Sequence, residues 1–180
     1  MIKLIVIANP NPESFSFKIL ELLESSLREA KKQYDVLDLY RLKPQQKFYT
    51  HRENKSIDII QNKITKAHEI IFIHPIYWCG PPAILKNFLD VNFRKGFAYR
   101  YKDDVYEPLL TNKSMRLIVT SNESEEIYKE IGNPFLVAWK EFALGTGIEL
   151  KGMIHIGNMR NNKGNRREIL NKLKSKFESF

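Results

Sequence analysis

The sequence predicts an α/β fold in which a five-stranded parallel sheet carries helices on both faces. Short apolar runs alternate along the chain with longer segments in which apolar residues recur every three or four positions. The run Ile70–Ile73 is continuously apolar, as expected of a central parallel strand covered on both faces. The 180 residues contain no internal repeat or linker-like stretch, so we expect one domain spanning residues 1–180.

The first part of the chain predicts two strands and two helices. Ile2–Ala8 is an apolar first strand, and Ser16–Lys32 follows as a helix whose apolar residues share one face. Tyr34–Leu39 alternates enough to form a second strand. The polar segment Tyr40–Lys55 is predicted as a loop, and helical spacing returns in Ser56–Ala67.

The rest of the chain predicts three more strands and three more helices. The strands are Glu69–His74, Met115–Thr120 and Met153–Ile156. The helices are Ala83–Phe93, Pro134–Leu144, which Gly145 and Gly147 are expected to end, and a basic helix at the end of the chain. Ligands of such sheets bind at the carboxyl ends of the strands, near the point at which strand order reverses. The loops after the first, third and fourth strands are therefore the expected places for chemistry.

The composition is typical of a globular protein. Hydrophobic residues make up 43% of the chain and charged residues 28%. No stretch approaches the roughly 20 apolar residues of a membrane span. The apolar start at Met1–Ala8 is too short for a signal peptide, and the single cysteine, Cys79, excludes an internal disulfide. Because a lone cysteine suits a reducing compartment, we expect a cytoplasmic protein.

The net charge of +8 is concentrated near the end of the chain. Basic residues cluster there at Lys163, Arg166, Arg167, Lys172, Lys174 and Lys176. Ile169, Leu170, Leu173 and Phe177 recur between them at helical spacing, which favours an amphipathic helix with a solvated basic face. A basic surface also raises the local concentration of anionic nucleotides. Since no nucleic-acid-binding motif accompanies it, nucleic acid is not expected as a partner.

The loop after the first strand, Ala8–Phe17, offers an anion site. It contains neither the glycine-rich dinucleotide fingerprint nor the Walker pattern. Ser14 and Ser16 stand instead at the start of a helix, where free backbone N–H groups and the helix dipole attract anions. The alternative is that one of these serines only caps the helix, and composition alone favours that alternative.

The loop after the third strand, His74–Lys86, carries aromatic residues stiffened by three prolines and a glycine. A planar heteroaromatic ring could stack on Tyr77 and Trp78 while backbone groups bind its polar edge; alternatively these two side chains pack in the core. His74 is expected to be structural. Because none of the four histidines shows metal-ligand spacing with another or with Cys79, no metal is expected.

These residues resemble the NAD(P)H:quinone oxidoreductase family, which includes mammalian quinone reductases, bacterial modulator-of-drug-activity proteins and ancillary reductases of potassium-efflux systems. The resemblance rests on His74–Trp78, Pro82–Lys86, Gly96–Tyr99 and the Asn-Pro…Ser-Phe-Ser pattern of the first loop. It implies a flavodoxin-like, doubly wound sheet, a bound FAD or FMN, and a homodimer whose active sites form between subunits.

The resemblance also implies roles for individual residues. Contacts to the flavin phosphate or ribityl chain would come from Asn9, Ser14, Phe15 and Ser16. Contacts to the isoalloxazine ring would come from Pro75, Ile76, Tyr77, Trp78 and Cys79, and from Thr120, Ser121 and Asn122 of the third loop. Contacts to the substrate would come from Trp78, Phe97, Tyr99 and Tyr101, the last three in a segment that reaches toward the partner's acceptor pocket.

The third loop departs from the family. The family usually has Thr-Thr-Gly-Gly or Thr-Thr-Gly-Ala where this chain has Thr120-Ser121-Asn122-Glu123. Asn122 tolerates a left-handed backbone, which would preserve the turn, while Glu123 adds a carboxylate beside an anionic ligand. Tyr128 lies where some members place a tyrosine that stabilises the reduced flavin, and we expect it to be catalytic. The histidine that accompanies this tyrosine in mammalian members is replaced by Pro134, so an altered proton relay is expected.

The activity that the resemblance implies is ping-pong hydride transfer, in which NADH or NADPH binds over the flavin and leaves before a quinone takes its place. The alternative is a flavin-loaded regulatory subunit that associates peripherally with a membrane transporter, a role that the basic surface suits. A one-electron carrier of the flavodoxin type is disfavoured because such carriers are typically acidic. The sequence leaves open FAD or FMN, NADH or NADPH, and how tightly the altered third loop retains flavin.

Overall fold

A computed structural model describes residues 1–42, 55–162, 164–178 and 180. The strands are β1 (Lys3–Ile7), β2 (Tyr34–Asp38), β3 (Glu69–Pro75), β4 (Tyr99–Lys102), β5 (Val105–Pro108), β6 (Ser114–Thr120) and β7 (Glu149–Ile156). The helices are α1 (Phe15–Glu29), α2 (Lys55–Lys66), α3 (Ala83–Asn92), α4 (Glu125–Glu130), α5 (Pro134–Thr146) and α6 (Arg166–Phe177). The predicted loop over Tyr40–Lys55 lies almost entirely outside the described residues.

The central sheet confirms the predicted fold class. Its five strands run in the order β2-β1-β3-β6-β7, and every neighbouring pair is parallel. Numbered within the sheet, this is the order 2-1-3-4-5 of flavodoxin-like doubly wound folds. Strand order reverses between β1 and β3, so the carboxyl ends of these two strands lie at the switch point. Every residue of β1 and β3 is buried, as the continuous apolar runs predict.

The two faces of the sheet bury separate halves of the core. Successive side chains of a strand point to opposite faces, so Leu4 and Val6 pack with residues of α2, α3 and α5, while Ile5 and Ile7 pack with α1 and α6. The basic final helix is amphipathic as predicted, because Leu173 and Phe177 are buried. Within the described residues, no helix combines the length and the apolar composition needed to cross a membrane.

Two elements are absent from the sequence prediction, and several boundaries were wrong: the fifth strand begins at Glu149 rather than Met153, and the first helix ends at Glu29 rather than Lys32. A hairpin of β4 and β5, joined by Asp103 and Asp104 in left-handed conformations, precedes β6, and the short helix α4 follows it. Helix α5 passes through Gly145 and ends at Thr146, capped by Gly147 with φ of 77°. The hairpin and α4 were missed because their exposed, four- to six-residue segments lack a clear apolar period.

His74, the penultimate residue of β3, is fully buried and structural, as expected. Its ring centroid lies 5.6 Å from that of Phe135 and 5.8 Å from that of Trp139. Nδ1 lies 2.8 Å from the carbonyl oxygen of Pro75, so Nδ1 carries the proton of the neutral ring. Nε2 is buried and has no partner, and a second proton there would be an unpaired buried charge. Burial accordingly lowers the pKa of His74 to about 4.

We expect the free energy of unfolding to decrease as the pH is lowered from 6.5, the ordinary pKa of histidine, to about 4, the pKa of folded His74. The unfolded chain takes up a proton there that folded His74 refuses, at a cost that reaches about 3 kcal/mol at the acid end. Urea unfolding across this window should show a shallower pH dependence for His74→Phe than for the wild type. His68→Phe, at an exposed histidine, is the control, and equal slopes in the His74 variant and the wild type would contradict the assignment.

Candidate functional site

The loops after β1, β3 and β6 meet at the carboxyl edge of the sheet. Backbone bonds hold them together: the Ala8 N–H donates to the Ile73 carbonyl at 3.0 Å, and the Ile76 N–H donates to the Thr120 carbonyl at 2.8 Å. The first bond joins the ends of β1 and β3, and the second joins the ends of β3 and β6. The three loops that the sequence singles out are therefore neighbours in space.

The second loop begins with a tight, strained turn. Tyr77 and Gly80 exchange two backbone hydrogen bonds of 2.9 Å, and the residues between them have positive φ, 48° at Trp78 and 60° at Cys79. Two left-handed central residues define a type I′ turn, which normally contains asparagine, aspartate or glycine. Each residue with a Cβ costs about 1–2 kcal/mol in this conformation. Strain of this kind is concentrated at functional sites.

The turn presents its aromatic side chains to solvent. Trp78 is fully exposed and Tyr77 about half exposed, so neither packs in the core. Of the two interpretations of this loop, the aromatic platform is the one compatible with the geometry. Cys79 is partly buried.

The third loop is held by the segment that follows β7. The Ser121 N–H donates to the Ile156 carbonyl at 3.1 Å, and the Met159 N–H donates to the Ser121 carbonyl at 3.0 Å. The Asn158 N–H donates to the Glu123 carbonyl at 3.1 Å, and the Ser121 hydroxyl donates to the same carbonyl at 2.7 Å. Asn122 does not adopt the left-handed conformation expected of it; Asn158, with φ of 56°, does so instead.

Tyr128 lies on α4, with its ring buried against the loops. Burial raises the pKa of its hydroxyl, and the nearby Cys79 and Glu123 raise it further, so the hydroxyl is a protonated donor at neutral pH. The His155 ring packs edge-on against Tyr128 with 5.3 Å between centroids. Pro134, the residue in the expected histidine position, is the first residue of α5.

A cleft of 640 Å³ opens between the second and third loops. It is lined by Pro75, Ile76, Tyr77, Trp78, Cys79, Thr120, Ser121, Asn122, Glu123, Ile127, Tyr128, Ile131 and Met159. The structure thus brings together the predicted residues of the second and third loops with Tyr128. Sequence reasoning missed Ile127, Ile131 and Met159, because nothing in their spacing marks them as lining a site.

The first loop lies beside this cleft but outside its lining. Ser14 occupies the N-cap position of α1, yet its hydroxyl makes no capping bond and is buried without a partner. Asn9 is buried, and its side-chain amide donates to the Ser16 hydroxyl at 3.1 Å. The Phe15 side chain packs in the core, so only its backbone can face a ligand. The guanidinium of Arg166 lies 5.7 Å from the Phe15 ring centroid, and its buried Nε has no partner.

The predicted substrate residues of the β4–β5 region lie apart from the cleft lining. Phe97 packs against Phe93 with 6.5 Å between ring centroids, and Tyr99 stacks on Tyr106 at 5.2 Å. Tyr101 is more than half exposed on the hairpin. The structure therefore does not bring these three side chains into the cleft of their own chain. In the part of the chain that the structure describes, no cluster of histidine, cysteine, aspartate or glutamate could hold a metal ion.

Comparison with known proteins supports the fold and identifies the family. The family model described as flavodoxin-like fold matches residues 1–178. An uncharacterised NAD(P)H oxidoreductase of Haemophilus influenzae is 32% identical over 139 residues, covering 72% of this chain and 68% of the relative. NAD(P)H dehydrogenase [quinone] 1 of Cavia porcellus is 29% identical over 150 residues, covering 69% of this chain but only 54% of that protein.

Two further similarities complete the comparison. A glutathione-regulated potassium-efflux system ancillary protein of Yersinia enterocolitica is 36% identical over 86 residues, covering 47% of this chain and 45% of its own. The crystal structure of Smu.1420 from Streptococcus mutans superposes with a TM-score of 0.88 at 28% identity and covers 100% of both chains. The shared architecture therefore extends over the whole chain.

Gly157 provides a test of how tightly the third loop is held. A Cβ at this position would lie 2.8 Å from the Glu123 carbonyl oxygen, so the backbone would have to shift, and it would also lie 3.1 Å from the Ser124 Cα, which is a tight contact. We expect Gly157→Ala to lower the free energy of unfolding by about 1–3 kcal/mol. Gly152→Ala on β7 is the matched control, because a Cβ there meets nothing within 4 Å. Equal urea midpoints for the two variants would show that the loop yields easily.

Proposed function

We propose that this chain, which belongs to the flavodoxin-like fold family, is a flavin-dependent NAD(P)H:quinone oxidoreductase. The observation that carries the proposal is the cleft between the strained aromatic turn at residues 77–80 and the third loop, with Tyr128 in its wall. It lies at the carboxyl edge of the sheet, beside the switch point between β1 and β3, where doubly wound folds bind their ligands. The names of the relatives from Haemophilus influenzae and Cavia porcellus point to the same chemistry.

The first loop fits the phosphate of a flavin. The buried hydroxyl of Ser14 lacks a partner and stands at the start of a fifteen-residue helix, whose first N–H groups have no intrahelical acceptors. Arg166 brings a cationic group beside the same loop. We assign phosphate binding to Ser14, the backbone of Phe15 and Ser16, and Asn9, whose bond to Ser16 holds that residue in place. FAD and FMN both satisfy this assignment.

A bound flavin would supply the hydride acceptor and donor that the side chains lack. The residues of this chain position and stabilise it. Pro75, Ile76 and the platform of Tyr77 and Trp78 would stack against the ring, and the backbone of the third loop would bind its polar edge. The Tyr128 hydroxyl, kept protonated by its raised pKa, would donate to negative charge that develops there. If both substrates use this open cleft, exchange would be ping-pong, with NADH or NADPH leaving before the quinone enters.

We further propose that the protein is a homodimer. Tyr101 and Val105 expose apolar surface on the hairpin, and Val137 and Leu144 do so on α5, against which the hairpin packs. A second copy covering this surface would bring Phe97, Tyr99 and Tyr101 toward the partner's cleft, where they would contact the substrate beside Trp78.

The second candidate is a flavin-loaded regulatory subunit of a membrane transporter. The resemblance to the potassium-efflux ancillary protein favours it, although the aligned part covers less than half of each chain. The net charge of +8 suits peripheral association with an anionic membrane surface. Co-purification of a transporter with the flavin-loaded chain would separate this role from that of a free enzyme.

The first experiment is to incubate the purified protein with FAD or FMN, desalt it and record its visible spectrum. We expect a retained flavin spectrum that NAD(P)H bleaches and a quinone restores. Tyr128→Phe should retain the flavin but turn over at least about tenfold more slowly, since it loses a proton donor. Tyr34→Phe, at the start of β2, is the control. A colourless protein with either flavin would overturn the proposal.

The dimer has a separate test in Tyr101→Asp. A carboxylate buried in a subunit interface without a partner is strongly unfavourable, so we expect sedimentation to shift from twice the chain mass to the chain mass. Ile59→Asp changes an exposed residue of α2 in the same way and should leave the mass unchanged. Wild-type protein that sediments as a monomer at micromolar concentration would contradict the dimer.

A further inference from the structure

His155 contacts two residues that line the cleft, although it does not line the cleft itself. It is the penultimate residue of β7 and is partly buried. Its Nε2 lies 2.7 Å from the Ser121 hydroxyl of the third loop, and its ring packs against Tyr128 at 5.3 Å between centroids. Both Ser121 and Tyr128 line the cleft. His155 therefore contacts the site through these two residues.

The direction of the bond between His155 and Ser121 follows from proton counting. A serine hydroxyl carries one proton, and that of Ser121 is donated to the Glu123 carbonyl at 2.7 Å. The bond to His155 therefore needs its proton from the imidazole, so that Nε2–H donates to the serine oxygen. This defines a chain of donors that runs from His155 through Ser121 to Glu123 and fixes the neutral tautomer with its proton on Nε2.

The surroundings keep the imidazole a neutral donor near neutral pH. Partial burial lowers the pKa of His155, and Lys129 of α4 lowers it further. The carboxylates of Glu125 and Glu126 on the same helix act in the opposite direction, but the net pKa is lowered. On its other side the ring meets the uncharged Tyr128. The histidine accordingly holds the serine by a hydrogen bond rather than by a charge.

We propose that His155 is a positioning residue of the cleft, which fixes Ser121 and the ring of Tyr128 in the places from which they bind and polarise the cofactor. The backbone bonds from Ile156, Asn158 and Met159 hold the loop to the end of β7, and the His155 bond sets the Ser121 side chain within it. This role rests on the proposed function, since it is a role toward flavin.

A first measurement tests the donor chain in the protein without flavin. Nitrogen-15 spectra of the histidine rings near neutral pH should show His155 neutral with its proton on Nε2. Ser121→Ala should alter the shift of that nitrogen and leave His68, at the amino end of the sheet, unchanged. A proton on Nδ1 of His155 would overturn the inference.

The second measurement uses variants and two readouts, the dissociation constants for FMN and FAD from fluorescence and the midpoint potential of the bound flavin. His155→Ala and Ser121→Ala should each weaken binding about tenfold, the effect of one lost hydrogen bond in a partly buried site. The double variant should weaken binding by less than the product of the two single effects, because both single variants remove the bond between His155 and Ser121. Each should also make the potential more negative, since donors to the reduced cofactor lose their orientation.

His155→Gln provides the rescue, because its amide N–H can donate to Ser121 in place of Nε2–H. For His155→Gln and for the control His68→Gln, we expect dissociation constants within about twofold of the wild-type values and an unchanged midpoint potential. If the wild type binds flavin and His155→Ala has the same affinity and midpoint potential, the role of His155 is overturned but the proposed function is not. Wild-type protein that retains neither flavin would overturn the proposed function, and the flavin role of His155 with it.

Discussion

The structure depends on the burial of two parallel strands on both faces at once. β1 and β3 expose no residue, so their backbone groups must pair with neighbouring strands, and helices must cover both sides. That requirement brings the carboxyl ends of β1, β3 and β6 to one edge, where the Ala8–Ile73 and Ile76–Thr120 bonds join them. Because this edge is rigid, the loops that leave it can hold strained conformations that isolated loops would not keep.

The second and third loops are held by different physical means. The turn at residues 77–80 is closed by its own reciprocal hydrogen bonds and keeps two left-handed residues, Trp78 and Cys79, despite their cost. The third loop has no glycine between Thr120 and Ser124 and relies on contacts from the end of β7. There Gly157 permits the close approach of Glu123, and His155 bonds Ser121. The second loop is thus closed locally, whereas the third loop is held by the end of the neighbouring strand.

The charge of the molecule is unevenly distributed in relation to the cleft. The chain is basic overall, and α6 carries much of the excess on its solvated face beside the first loop. The cleft itself has one ionisable carboxylate, Glu123, and no lysine or arginine among its described lining residues. Anionic groups are therefore favoured at the first loop, near Arg166, while the cleft suits uncharged planar rings. This separation matches a ligand with a phosphate at one end and an aromatic system at the other.

The sequence by itself determined the strand and helix alternation, the buried character of β1 and β3, and the location of the chemistry in three loops, because apolar periodicity and proline and glycine positions are local properties of the chain. It also distinguished Tyr77, Trp78 and Tyr128, through the resemblance. Only the tertiary structure decided that Tyr77 and Trp78 are exposed, that the Ser14 hydroxyl makes no cap, and that His155 meets Tyr128 and Ser121. His155 is separated from Ser121 by 34 positions along the chain. Contacts of this kind arise from the pairing of β6 with β7, a long-range choice that no local pattern records.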